Sequence, residues 1–283
     1  TFASVFPTSK PMYVLIVLLD EPKPNKEYIY NYRVWGRLNY SPNTKRDTFL
    51  RYLSFKFPSN FYRSEFESTE VINWKEMRDL QLSFLKSGVP HIDAPQDYAF
   101  FATLYKFANK FNIKTILTGG NFATECVRNP IDWMYFQSDN KQLRSIHREF
   151  GTLKLKDFPR THILWHKIYL PYIRRIKLIK PLNYFEYNKE KAKELLINKY
   201  EWKPYPQKHF ESRFTSFYEG FWLYYRFGFD VRKVQLSSLI LTKQISREEA
   251  LAKLSKPPLS ERIIQLEKQY VSDKLRIQIS ELE

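Results

Sequence analysis

The stretch at residues 114–125, KTILTGGNFATE, places two adjacent glycines and an asparagine directly after a short apolar run, with a carboxylate, Glu125, four residues further on. Those residue types at that spacing suit a phosphate and its metal. Gly119 and Gly120 can let backbone approach a ligand closely, and Asn-Phe-Ala-Thr can open a helix whose free N–H groups attract anions. The same spacing also fits an ordinary strand-to-helix turn, because paired glycines are common punctuation. A second cluster, QKHFESRF, gathers Lys208, His209, Glu211, Ser212 and Arg213 just before an aromatic-rich helical pattern. A lysine fixed at such a point beside a nucleotide could neutralise the pyrophosphate that leaves when ATP is cleaved between its α and β phosphates. Its bland alternative is a solvated helix start.

The elements that must position these groups follow from the hydrophobic pattern. Residues 12–19 read as a buried strand, and 71–74, VINW, as a strand end. Helices are expected at 75–87 and from Asp93 and Asp97 through 109, where Asp97 suits a first-turn acid. A strand at Thr115–Leu117 follows. The order helix, strand, glycine turn, helix belongs to an open α/β sheet, in which ligands bind beyond the carboxyl ends of the strands. Residues 166–180 carry Lys167, Arg174, Arg175, Lys177 and Lys180 with no acid, a basic connector that reads as a solvated edge, a grip on a sugar nucleotide's diphosphate, or a contact for acidic headgroups. Beyond it the pattern is helical, at 188–200, 209–227, 231–241, from Ser246, and at 259–275. Ser246 and Glu249 have capping-box spacing, worth about 1 kcal/mol if formed.

Composition sets the outer limits. The 283 residues suffice for one large or two modest domains, and the 46 lysines and arginines against 30 acids give a formal charge of +16, which favours anionic partners without choosing among them. One cysteine, Cys126, excludes an internal disulfide and a four-cysteine zinc site, and points to a reducing, cytoplasmic setting. It reads as a buried structural thiol. The longest apolar run, 12–19, is far short of the roughly 20 residues of a membrane helix, so no transmembrane segment is expected. The histidines at 91, 147, 162, 166 and 209 lack zinc-protease spacing.

Taken in order, VINWKEMRDLQ, DAPQD, ILTGGNFATE, FGTLKLKDFP, LNYFEYNKEKAKELL, KHFESRFTSFYEGFWL, FGFDVRKVQLSSLI and SREEALAKL resemble the N-acetyl sugar amidotransferases of surface-polysaccharide and lipopolysaccharide biosynthesis, a family of the PP-loop ATP pyrophosphatase class. The likeness covers residues 71–276, and the TGGN…E segment is also similar to the second nucleotide motif of NAD synthetases. The resemblance implies an α/β fold, an open and mostly parallel sheet of the PP-loop type, incomplete at its beginning, with a helical C-terminal part. It divides the chain into an atypical segment at 1–70, a nucleotide-binding part at 71–180 and a helical part at 181–283.

It also implies a two-step reaction. ATP, with magnesium, adenylates the oxygen of a sugar acetamido group; ammonia from a separate glutaminase, delivered by a cyclase-like carrier, then displaces AMP to leave an acetamidino group. By the match, Thr118, Gly119, Gly120 and Asn121 would line the nucleotide, Glu125 would hold magnesium, and Lys208 with Glu211 would act at the departing pyrophosphate. His209, Arg213, Arg232 and Lys233 would meet the N-acetylated sugar or sugar nucleotide.

The sequence departs from the family in two ways. No SGGxDS phosphate loop occurs, the first glycine being an isolated Gly36, and the family's paired N-terminal cysteines are absent. EPKPNKE follows the first apolar run, and its prolines remove N–H donors where a cradle would need them. The explanations open are an upstream truncation or frameshift, which the abrupt change of texture near residue 70 favours, a degenerate relative, or completion by another subunit. Residues 1–70 are expected to pack poorly and this chain by itself to be inactive or nearly so in ATP cleavage. The competing class is a non-catalytic basic protein that binds RNA or an anionic membrane. A tRNA-modifying PP-loop enzyme ranks lower, since no RNA-binding module is recognisable, and no nucleic acid partner is expected.

Overall fold

A computed structural model describes residues 2–6, 13–17, 67–68, 71–136, 139–200, 202, 204–205 and 207–282. Most of the 1–70 segment, and with it the expectation of poor packing there, lies outside the described residues. The chain divides into two units. The first comprises 1–70, 104–120 and 169–206, the second 71–103, 121–168 and 207–283. The chain thus leaves the first unit between Gly120 and Asn121.

In the first unit the described strands are β1 (Phe2–Phe6), β2 (Tyr13–Val17), β3 (Glu67–Ser68), β4 (Thr115–Leu117) and β5 (Lys177–Ile179), in the spatial order β3-β1-β2-β4-β5. β2 falls inside the apolar run expected as a strand, and β4 has the expected bounds. β4 pairs in parallel with both β2 and β5, whereas β1 runs antiparallel to β2 and to β3. Ile113 and Ile116 are fully buried, which anchors the short β4. The basic connector is therefore more than an exposed link. It takes in all but the first residue of a π-helical stretch, Trp165–Ile173, and then β5, whose register sets Leu178 opposite Ile116.

The second unit is helical. α1 (Trp74–Lys86) begins at Asn73, whose side chain accepts from the Lys75 and Glu76 amides. VINW is thus a helix cap, not a strand end: Asn73 offers the N–H groups an acceptor that an apolar pattern does not reveal. α2 (Ala94–Lys110) spans the boundary between the units, and α3 (Phe122–Glu125) is a single turn. Then come α4 (Asn140–Phe150), α5 (Lys189–Tyr200, of the first unit) and α6 (Arg213–Phe217), which continues as a π-helix over Tyr218–Arg226. α7 (Arg232–Leu241), α8 (Arg247–Leu254) and α9 (Glu261–Leu275) complete the unit. Its core has two main clusters. Phe217, Trp222 and Leu223 pack with Ile92, Val271 and Leu275, while Leu80, Phe84, Tyr98, Leu143 and Phe158 close α1 against α2 and α4.

The Ser246 capping box is formed, with the Glu249 amide donating to Ser246 Oγ at 3.1 Å and the Ser246 amide donating to Glu249 Oε2 at 2.8 Å. Ser246→Ala should lower stability by about 1 kcal/mol, read as a shift of the urea midpoint at unchanged slope. An unchanged midpoint would remove α8's cap from the stability of the unit.

Candidate functional site

Beyond β4 the ladder continues for one residue, the Thr118 amide donating to the Ile179 carbonyl at 3.0 Å. Thr118 Oγ1 then accepts from the Gly120 amide at 3.2 Å. Neither Gly119 nor Gly120 uses positive φ, which among the described glycines occurs at Gly88 and Gly228. A Cβ at Gly119 would meet nothing within 4 Å, so the surrounding described atoms do not demand a glycine there.

Asn121, the first residue of the second unit, is buried and caps α3. Its Oδ1 accepts from the Thr124 amide at 2.9 Å and from the Thr124 hydroxyl at 3.1 Å. That turn brings Glu125 back over its own start, where Oε2 accepts from the Asn121 amide at 3.3 Å. The end of α7 holds α3 from the other side, through the Thr242 hydroxyl and the Gln244 side-chain Nε2, which donate to the Ala123 carbonyl at 2.7 and 2.9 Å. Cys126 is half-buried rather than buried, its Sγ 3.7 Å from the Ser238 carbonyl.

Glu125 Oε1 accepts from Lys208 Nζ at 2.6 Å, joining residues 83 apart in the chain. Both side chains are partly open, at 37% for Glu125 and 25% for Lys208. A carboxylate and an ammonium in contact, with their heads accessible, can separate around a metal-bound phosphate at modest cost, because an exposed ion pair contributes only about 0–1 kcal/mol.

The neighbours of Lys208 are used differently. His209 sits in the left-handed region at φ 71 and turns its Nδ1 to Glu219 Oε1 at 2.7 Å. Burial pushes the imidazole's pKa down, but the hydrogen bond and charge of Glu219 outweigh it and hold it above the usual value. Ser212 caps α6 by accepting from the Thr215 amide. Arg213 donates to Glu267 Oε2 at 2.8 Å and lies over the Tyr270 ring at 4.1 Å, so it joins α6 to α9. Arg232, in place of the substrate contact expected of it, is buried: Nε and Nη2 donate to the two Asp230 oxygens at 2.9 and 2.7 Å, and Nη1 to the Lys253 and Lys256 carbonyls. Its fork is filled by the protein. Glu211 and Lys233 are exposed.

Sequence reasoning missed a set of buried acids on the other side of His209. Thr215 donates to Asp93 Oδ2 at 3.2 Å, the Tyr135 hydroxyl donates to Asp97 Oδ2, and His91 Nδ1 lies 3.1 Å from the Tyr218 hydroxyl. Burial first, then the charges of Asp97 and Glu219, push Asp93 up to about 8, so it holds a proton at neutral pH. Among the described residues, Asp93 Oδ1 and Glu219 Oε2 are buried without a hydrogen-bond partner. The legible signal was the spacing of four in DAPQD, which sets two carboxylates on one helix face. Among the described residues no group of three His, Cys, Asp or Glu is arranged to hold a metal. Magnesium does not require one, since it takes one or two carboxylates and fills its remaining positions with water and substrate phosphates. Glu125 fits that demand.

The model of one protein family, described as LPS biosynthesis protein WbpG-like, C-terminal domain, matches residues 211–283. The C-terminal part of the chain, from Glu211 through α6 to α9, is therefore similar to a domain described for lipopolysaccharide biosynthesis. No curated protein and no solved structure matches the chain. No helix among the described residues is long and apolar enough to cross a membrane.

Proposed function

We propose that this chain carries, within lipopolysaccharide or related glycan biosynthesis, the nucleotide-handling residues of an ATP-dependent amidotransferase of the PP-loop class, which converts a sugar acetamido group to an acetamidino group. An amide carbon is a poor electrophile until its oxygen becomes a leaving group. Transfer of AMP to that oxygen, with release of pyrophosphate, provides one; ammonia then adds to the carbon, and AMP departs with the former amide oxygen. Ammonia would come from a glutaminase partner through a cyclase-like carrier. The carrying observation is the contact of Glu125 with Lys208. Glu125 would hold magnesium, which would supply positive charge to the phosphates, and the Lys208 ammonium would neutralise the departing pyrophosphate, each worth most where water is excluded. The parallel pairing of β4 with its two neighbours and the match to an LPS biosynthesis domain support the same reading.

Equilibrium binding of magnesium ATP and magnesium pyrophosphate tests it. Lys208→Ala should weaken pyrophosphate about tenfold, near 1.4 kcal/mol, and Glu125→Gln should remove most of the magnesium dependence of ATP binding. Unchanged affinities in both variants would sink the assignment. Because the sequence has no SGGxDS loop, steady pyrophosphate release by the chain alone, given ATP, ammonia and an N-acetyl sugar, is expected to be near background.

A further inference from the structure

On α4 the buried residue is Leu143, with Ile146 packed beside it, which turns Lys141, Arg144 and Arg148 outward. Their spacing of three and four puts these cations in one stripe. Facing them is the segment 153–164, which brings Lys154 and Arg160. Together they line a cleft of about 980 Å³ whose single carboxylate is Asp139, the cap of α4, already accepting from the Lys141 and Gln142 amides. Among the described residues Lys141, Arg144, Arg148 and Lys154 form no ion pair. Four like charges kept together beside a single carboxylate that pairs with none of them repel one another, and an anion relieves that repulsion.

The segment opposite α4 is held in place. Glu76 on α1 accepts from the amides of Lys156, Asp157 and Phe158 at 2.8–3.2 Å, and Asp79, one turn later, accepts from Thr152 and Leu153. His147, also in the cleft lining, is fixed by Asp79 at 2.8 Å. The cations of the cleft therefore stand on a helix and on a clamped loop.

We infer that this cleft binds a diphosphate ester of the nucleoside diphosphate sugar class, at residues separate from Glu125 and Lys208. Arginine forks at 144 and 148 match phosphate oxygens in pairs. Leu153, Ile163 and Leu164, exposed along the same lining, offer apolar surface for a base or sugar face. The volume is that of a small-ligand site, and the cations converge on a hollow rather than running as a track along which a polynucleotide could lie. That the ester is the sugar substrate of the reaction proposed above rests on that proposal; binding of the diphosphate does not.

The test is calorimetric titration of the full chain with UDP-N-acetylglucosamine, UDP and inorganic phosphate. The variants are Arg144→Gln/Arg148→Gln, Lys154→Gln and Lys208→Ala, with thermal melts to confirm folding; the substituted cleft residues are exposed. UDP-N-acetylglucosamine should bind more tightly than phosphate, lose at least about tenfold in the double arginine variant and less in Lys154→Gln, and be unchanged by Lys208→Ala. Loss of binding in Lys208→Ala with the arginine variant unaffected would place the diphosphate at the other site and overturn the inference, leaving the ATP proposal standing. Tighter binding of a single-stranded RNA oligonucleotide or of phosphatidylglycerol vesicles at the same arginines, with a steep fall as salt rises, would overturn it in favour of a polyanion.

Discussion

Asp79→Ala should cost the second unit about 3–4 kcal/mol and release the segment that begins at Gly151. Asp79 is buried, and its carboxylate accepts from His147 Nε2 at 2.8 Å, from the Thr152 hydroxyl at 2.6 Å, and from the Thr152 and Leu153 amides at 3.1 Å. Alanine would leave those donors without an acceptor. Each buried donor so stranded costs about 1–3 kcal/mol, and the exposure of Thr152 and Leu153 lets water recover part of it, which brings the sum down to the figure given. Urea unfolding of the variant should show a lower midpoint, and hydrogen exchange should speed up at Thr152 and Leu153 before it does in α1. A loss below about 1 kcal/mol would mean the clamp is not a stabilising element. Acid should act in the same direction on the wild type. For both Asp79 and Glu76, burial pushes the carboxyl up, but the hydrogen bonds they accept outweigh it and leave each below its usual value of 3.8 or 4.5. Their contribution is therefore complete above those values and is lost as pH falls through the lower folded values.

That clamp shows where the sequence stops being legible. Helices such as α1, α7, α8 and α9 could be read from apolar spacing and caps, and Ser246 with Glu249 named its own partner, because both ends of each interaction lie within one turn. Glu76 and Asp79 reach loop amides 73 to 82 residues away, and a carboxylate that accepts backbone N–H groups leaves no mark on side-chain pattern. β5 was hidden for a different reason. Three residues between lysines and arginines carry too little apolar signal, and only pairing with β4 makes Lys177–Ile179 a strand. Arg232 looked available because its Asp230 partner, two residues earlier, reads as ordinary surface charge until α8 and the residues after it bury both. The meeting of Glu125 with Lys208 was expected from the ordered motifs rather than from either segment, since the first alone passes for an ordinary strand-to-helix turn and the second for a solvated helix start. Asp93 and Asp97 were visible as helix-opening acids, but nothing local announces that α6 and its π-helical continuation cover them.

Asp93 supplies the other large effect, on alkaline stability. Its carboxyl is near 3.8 in the unfolded chain and about 8 in the folded one, so between those values the folded state holds a proton that the unfolded state has released. Stability then falls as pH rises, because the unfolded chain binds fewer protons, and it levels off above about 8; over the whole interval the loss is on the order of several kcal/mol. The groups facing Asp93 determine how cleanly this can be read. Asp97 is also raised by burial, though the Tyr135 hydrogen bond opposes the shift, and it adds to the same decline. His209, held above its usual value of 6.5, loses its contribution as pH rises through the folded value, again in the same direction. Tyr135 and Tyr218, raised well above 10 by burial, stay protonated throughout and do not enter below pH 9. Asp93→Asn separates the first of these from the rest. Asparagine keeps an oxygen for the Thr215 hydroxyl and never ionises, so the margin by which the variant melts above the wild type should be small at pH 5 and widen by several degrees at pH 9. Equal falls in melting temperature from pH 5 to pH 9 in both proteins would show that Asp93 is not the proton held in the folded state. A wild type that keeps its stability to pH 9 would show that the buried acids are solvated better than their surroundings of Tyr135, Tyr218 and Glu219 imply.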